Sequence, residues 1–309
     1  MTINNNTKKG NAKSNKVDFF LIGAPKCGTT SLHNYLRKHP EVYMPEFKDR
    51  PYFGDDTYPD LGEKEYKMMY EEAGKGKVVG ETCVWYMYSD SALKEIKKYN
   101  PRAKIIIMVR NPIDLLYALH SEMIFGNIEG ERDFVKALKK EKERKIFDKE
   151  NNYDYKGRRF LYYSNFVKFK DRIEIWQRSF GERNVCIIIF EEFINNTSKS
   201  FKSVLGFLDL DDTHFVPNFV RHNPNKVMKN KLLQCMVTKP PELFRSLVHA
   251  YIPFKFRYWL VTKLIDINTN YVERPQLSID IRNKISKKFK HEVTEMEKML
   301  RKKIPEWDR

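Results

Sequence analysis

The sequence predicts an α/β fold: a P-loop-like parallel sheet with helices on both faces, in a single domain with an irregular helical C-terminal third. Three observations carry that reading. Continuous apolar runs at residues 17–24, 103–109 and 185–190 fit strands buried on both faces. Helical patterns fall between those runs, the alternation expected of a parallel sheet with covered faces. A turn bounded by Gly23 and Gly28 joins the first run to a helix, in the manner of a phosphate-binding loop. The chain has 309 residues and is 41% hydrophobic, so it can close a core without disulfide or metal staples.

Each element follows from local chemistry. Residues 1–16 are polar throughout and read as a flexible tail, leaving 17–309 as the folded domain. After the glycine turn, Leu32, Tyr35 and Leu36 recur at helical spacing until Pro40 stops the helix. Residues 78–80 form a short strand ending at Glu81. The run at 103–109 ends at Arg110, and Pro112 suits the first turn of the next helix. Helices are expected over 131–146, 162–180 and 197–208, and the third long strand ends before Glu191 and Glu192, which read as capping or pairing acids. Residues 277–302 form one long amphipathic helix. Ligands of such sheets sit at the carboxyl ends of the strands, where Ala24, Glu81, Arg110 and Glu191 fall.

The loop has the G-x-x-x-x-G spacing of a triphosphate loop, but Thr29 follows Gly28 where lysine should stand, and the lysine is Lys26. The strand that should end in a metal-holding aspartate ends in Arg110. Cations and backbone N–H groups therefore neutralise the anion, and no divalent metal is expected. Lys26 supplies an ammonium, and Thr29, Thr30 and Ser31 supply hydroxyls. Four scattered cysteines form no C-x-x-C pair or zinc pattern. Residues 1–16 have no apolar leader core, and no apolar run is long enough for a membrane span, so a soluble, cytoplasmic protein in a reducing compartment is expected. The net charge of +16 points to an anionic partner.

The stretches FLIGAPKCGTTSL, HPEVYMPEFKDRPYF, VVGETCVWYMYS, IIIMVRNP and FGERNVCIIIFEEF, in this order, resemble the sulfotransferases, and the carbohydrate and bacterial branch more than the small-phenol branch. The resemblance runs from about residue 17 to 223 and more loosely to Trp307. It implies transfer of a sulfuryl group from 3′-phosphoadenosine 5′-phosphosulfate (PAPS) to a hydroxyl or amine of a glycan or glycolipid. The loop from Lys26 through Cys27, Gly28, Thr29, Thr30 and Ser31 would wrap the 5′-phosphosulfate. Lys26 would stabilise charge growing on the leaving phosphate. Arg110 would clamp the 3′-phosphate. The serine usual eight residues later is Ala118 here, and Ser121, one helical turn on, is the substitute offered.

The same resemblance places the catalytic carboxylate at Asp49, where Glu is usual, with Glu46 a nearby alternative. Asp49 is equally read as a loop acid paired with Lys48 or Arg50. Glu81 would line the acceptor cleft, followed by Thr82 where Lys is common, with Lys48 standing in as the cation. Trp85 and Tyr86 would stack on a sugar or serve the core. Asn223 takes no firm role, and Arg274 falls where related chains place basic residues near the nucleotide. Alternatives are a catalytically impaired nucleotide binder of the same fold, which the departures at Asp49, Thr82 and Ala118 would suit, and a P-loop kinase. No nucleic-acid module is present. The basic aromatic stretch at 241–263 reads as helices packed over the acceptor cleft rather than as a membrane-surface segment. The sequence is silent on oligomeric state.

Overall fold

The computed structural model describes residues 16–57, 61–74, 76–151, 158–211, 215, 217–219, 225–238, 240–241, 248 and 251–308. Five parallel strands form the central sheet: β1 (Phe19–Leu21), β2 (Val42–Tyr43), β3 (Val78–Thr82), β4 (Lys104–Val109) and β5 (Val185–Ile189), in the order β2-β3-β1-β4-β5. After Lys104, β4 is apolar because both of its faces are covered, and Ile105 to Val109 are fully buried. The order reverses at β1, which lies between β3 and β4. A crevice opens at such a reversal, beyond the carboxyl ends of the strands. The glycine turn follows β1 directly, and the residues after β3 and β4 flank it.

Helix α1 (Thr29–Arg37) follows the turn, and α2 (Glu63–Met68) and α3 (Asp90–Tyr99) bracket β3. The side chains of β3 alternate. Thr82 points to α1, where its hydroxyl lies 3.0 Å from Nδ1 of His33. Glu81 points to the opposite face, under α2. Helix α4 (Pro112–Phe125) begins as Pro112 suggests: Asn111 accepts at its side-chain oxygen from the N–H of Ile113 at 2.9 Å. Helices α5 (Phe134–Glu150), α6 (Phe169–Phe180), α7 (Phe190–Asn195) and α8 (Thr197–Phe207) complete the layers. The expected helix at 162–180 is a 3₁₀ segment, Tyr163–Val167, followed by α6. The first strand as assigned is shorter than its apolar run, although the chain stays beside β4 to the end of that run: Ile22 and Ala24 donate their N–H groups to the carbonyls of Ile106 and Met108 at 2.9 and 2.6 Å.

The C-terminal third is helical and irregular. It holds a two-stranded antiparallel ribbon, β6 (Lys226–Met228) with β7 (Thr269–Tyr271), and helices α9 (Lys231–Thr238), α10 (Phe254–Ile267) and α11 (Ile279–Leu300). The ribbon was not legible in the sequence, since each strand is only three residues long. The chain end returns to the sheet: Trp307 donates its indole N–H to Glu191 at 2.9 Å, and Glu191 also accepts the N–H of Asn111 at 3.0 Å. Glu191 is thus a structural acid, and Glu192 pairs with Lys302 at 2.7 Å. The expected tail lies outside the described residues apart from Lys16, and so does Asn223. No helix among the described residues is long and apolar enough to cross a membrane.

Where β1 meets β3, the ring of Phe19 lies flat on Gly80. A Cβ at position 80 would stand 2.1 Å from that ring. Gly80→Ala is expected to lower stability by about 1–3 kcal/mol through overpacking, read as a drop in the urea midpoint with an unchanged slope.

Candidate functional site

The loop takes its shape from two residues in the left-handed region, Lys26 at φ 64° and Gly28 at φ 85°. For lysine that conformation is strained. At Gly28 a side chain would also meet the ring of Phe190, 2.9 Å from a built Cβ. Gly28 is the N-cap of α1 and provides no side-chain acceptor, and the first turn holds no acid. The N–H of Ser31 bonds to the carbonyl of Gly28 at 3.0 Å, and the positive end of the α1 dipole has neither a side-chain cap nor an acid in the first turn to offset it. Thr29 and Ser31 are buried and Thr30 is half-buried. Cys27 is fully buried, its thiol directed at the carbonyl of Pro25 and pushed well above the usual thiol range by burial. Cys27 thus offers the crevice its main chain, not its sulfur.

Two strand ends meet at this loop. Arg110, leaving β4, donates from its guanidinium to the main-chain carbonyl of Lys26 at 3.1 Å. The guanidinium lies 4.6 Å from the ring centroid of Phe190, and its Nε is buried with no hydrogen-bond partner among the described residues. The ammonium of Lys26 pairs with Glu122 on α4 at 2.8 Å. Burial pushes the Glu122 carboxyl up, but Lys26, with Lys226 and Lys48, outweighs it and holds the group below the usual carboxylate range. Glu122 carries no motif in the sequence, which is why sequence reasoning passed over it.

Ser121 and Arg274 are brought together. The Ser121 hydroxyl donates to the carbonyl of Tyr117 at 3.1 Å and accepts from Nε of Arg274 at 3.3 Å. Arg274 also donates to Asn225 at 3.1 Å. Burial, then the charge of Arg110, lowers the pKa of Arg274, so the two guanidinium groups share one region. Ala118 is buried one turn away and carries no polar atom on its side chain.

On the other flank, Asp49 is held at φ 56°. Its N–H donates to the carbonyl of Thr82 at 2.8 Å, and its Oδ1 accepts the N–H of Val84 at 3.1 Å. Its Oδ2 pairs with the ammonium of Lys48. Burial alone would lower the pKa of Lys48, but Asp49 and then Glu122 raise it, so Lys48 stays charged. His33, beneath this pair, is held down to about 3 by burial and by Lys48, and is neutral. Lys26, Lys48 and Glu122 therefore form one electrostatic group between the loop and Asp49. Trp85, just past Val84, packs 4.4 Å from Phe160 and lines a cavity of about 310 Å³ with Tyr88, Phe166, Lys168 and Arg172.

Glu81 is placed differently from the expectation that it lines the acceptor cleft. It is 3% exposed and enclosed by tyrosines. Tyr66 and Tyr70 donate to Oε2 at 2.6 and 3.1 Å, and Tyr86 donates to Oε1 at 2.7 Å. The strand alternation that sends Thr82 to α1 sends Glu81 into this cage. Tyr86 is likewise fully buried and serves the core. Tyr66 and Tyr70, four apart on and just beyond α2, are the signal in the sequence, but their partner is distant.

Residues 16–247 match the family model for the sulfotransferase domain. The chain belongs to the sulfotransferase family. This sulfotransferase-family chain is similar in fold to a sulfotransferase from Alicyclobacillus acidocaldarius, with a TM-score of 0.67 at 22% identity over 95% of this chain and 99% of that one. It is 29% identical over 145 residues to carbohydrate sulfotransferase 15 of Mus musculus, covering 32% of this chain and 26% of that protein. It is 23% identical over 303 residues to the bifunctional heparan sulfate N-deacetylase/N-sulfotransferase 1 of Caenorhabditis elegans, covering 96% of this chain and 31% of that protein. The chain spans about a quarter of the length of the first of these relatives and under a third of the second.

Burial raises the carboxyl of Glu81 from 4.5 to about 7, against the opposing pull of the three hydroxyls. Across that window the folded chain holds a proton that the unfolded chain has released. The contribution of Glu81 to stability is greatest in acid, falls as pH rises through the window by about 3 kcal/mol, and is flat above it. Glu81→Gln is expected to remove this slope, read as urea midpoints that change less between mildly acidic and mildly alkaline buffer than those of the parent chain.

Proposed function

We propose that the chain transfers the sulfuryl group of PAPS to a hydroxyl, or an amine, of a glycan or glycolipid acceptor. The observation that carries this reading is the convergence of Arg110 and Lys26, from two different strand ends, on the uncapped N-terminus of α1. Backbone donors and cations gathered there suit a nucleotide with phosphate at both ends. The orphaned Nε of Arg110 is a donor in want of an anion. The names of the carbohydrate sulfotransferase and heparan sulfate relatives support a sugar acceptor.

In this reading Lys26 and the loop N–H groups hold the 5′-phosphosulfate, and Arg110, with Ser121 and Arg274, holds the 3′-phosphate. The acceptor oxygen attacks sulfur, the bond from sulfur to the bridging oxygen breaks, and adenosine 3′,5′-bisphosphate leaves with the electron pair. Asp49 takes the acceptor proton, and Lys48 keeps it oriented. Trp85 and its cavity offer an apolar wall for a sugar face. Asp49 already has a partner at each oxygen, which favours a second reading, a nucleotide binder that transfers slowly or not at all.

Incubation with sulfur-35-labelled PAPS and a glycan panel separates the two. Labelled product is expected; bisphosphate binding without product would establish the binder instead. Lys26→Ala is expected to lower the transfer rate by about 10²–10³-fold, as loss of a donor to developing charge does. Asp49→Asn is expected to lower it by about 10²–10⁴-fold with bisphosphate affinity unchanged. Hydrogen bonds to charged groups contribute roughly 1.5–3 kcal/mol, so Arg110→Ala is expected to weaken bisphosphate binding about ten- to hundredfold in calorimetry.

A further inference from the structure

Helix α10 has two faces with different fates. Its inner face packs on the segment that leads to Asp49. Tyr258 lies 3.9 Å from Phe47 between ring centroids, the Arg50 guanidinium lies 4.8 Å from the Tyr258 centroid, and Arg257 pairs with Glu65 at 2.8 Å. The outer face is apolar and open. Phe256, Trp259, Leu260 and Ile267 fall on one helical stripe and are 53%, 51%, 37% and 65% exposed. The rings of Phe256 and Trp259 stack at 5.6 Å. Helix α9, in contact with α10, exposes Leu232 and Met236 at 76% and 68%. Large apolar side chains exposed together on two touching helices mark an interaction site.

Charge decides what covers it. Lys263 is exposed within the stripe, Lys229 lies at its Ile267 end, Lys231 is exposed at the start of α9, and the sequences of α9 and α10 contain one acid, Asp266. The whole chain carries +16. A second copy would set like charge against like charge, whereas an anionic bilayer supplies the opposite sign. Tryptophan and phenylalanine with flanking lysines are the side chains that settle at the boundary of headgroup and acyl chain.

We propose that the outer face of α9 and α10 docks peripherally on an anionic lipid bilayer. Phe256, Trp259, Leu260 and Ile267 enter the acyl boundary, and the lysines lie among the headgroups. The inner face of α10 would then hold the segment from Phe47 to Arg50 close to the bilayer surface. Docking is independent of the reaction proposed above, since it is read as binding and needs no turnover.

The test is sedimentation of the full chain with vesicles of phosphatidylcholine, with and without phosphatidylglycerol. Association with the anionic vesicles is expected, together with weakening by salt. The double variant Phe256→Ser/Trp259→Ser is expected to bind them at least about tenfold more weakly, with an unchanged circular dichroism spectrum and urea midpoint. Failure of the parent chain to bind anionic vesicles at low salt would overturn the proposal. Equal binding by the parent and the double variant would overturn it too, because charge alone would then account for the association. A dimer seen by light scattering and dissolved by the double variant would give the face to a second copy instead.

Discussion

The bond from the Arg110 guanidinium to the carbonyl of Lys26 joins the end of β4 to the loop after β1, and the geometry of the crevice depends on it. Lys26 must enter the left-handed region for its carbonyl to turn toward β4, and Gly28 must do so for the chain to enter α1. Phe190 then fills the space that a side chain at 28 would need and lies against the guanidinium. Backbone strain at one residue is thus met by a charge-assisted hydrogen bond and a cation–π contact on the same side of the sheet. The strand order makes this meeting possible, because only at β1 do β3 and β4 both lie next door.

Two carboxylates close in sequence to the site have opposite surroundings. Asp49 sits beside the end of β3, with the N–H of Val84 at one oxygen and the ammonium of Lys48 at the other. Glu81, one step earlier on the same strand as Thr82, lies among neutral hydroxyls in a buried layer that penalises ionisation. The period of the strand turns Glu81 away from Thr82, whose carbonyl holds the N–H of Asp49. Thr82 is a fixed point for both flanks, holding the N–H of Asp49 with its carbonyl and His33 with its hydroxyl.

Much of the fold was legible because the strands are buried on both faces and so appear as unbroken apolar runs. Residues 103–109 are the clearest case, and the structure has β4 at Lys104–Val109. Strand β2 was not legible, since two residues carry no pattern, and its place comes from pairing with β3. The loop was legible because its glycine spacing is local. Contacts between distant residues were not. Ser121 and Arg274 were picked out separately, yet nothing in the chain says that they touch. Glu122 is one more acid on a helix until α4 carries it to Lys26. The stretch at 241–263 was expected to pack over the cleft; the inner face of α10 does pack on residues 47–50, while its other face is exposed.

The ion pair between Lys26 and Glu122 changes what arrival means at this crevice. The ammonium already has a negative neighbour, and with three donors it has room for a second acceptor beside Glu122. An anion placed there would meet a cation whose charge Glu122 has partly offset, and would also feel the repulsion of that carboxylate. At this position selectivity between anions rests on shape and on how many oxygens reach the loop N–H groups, and less on raw attraction.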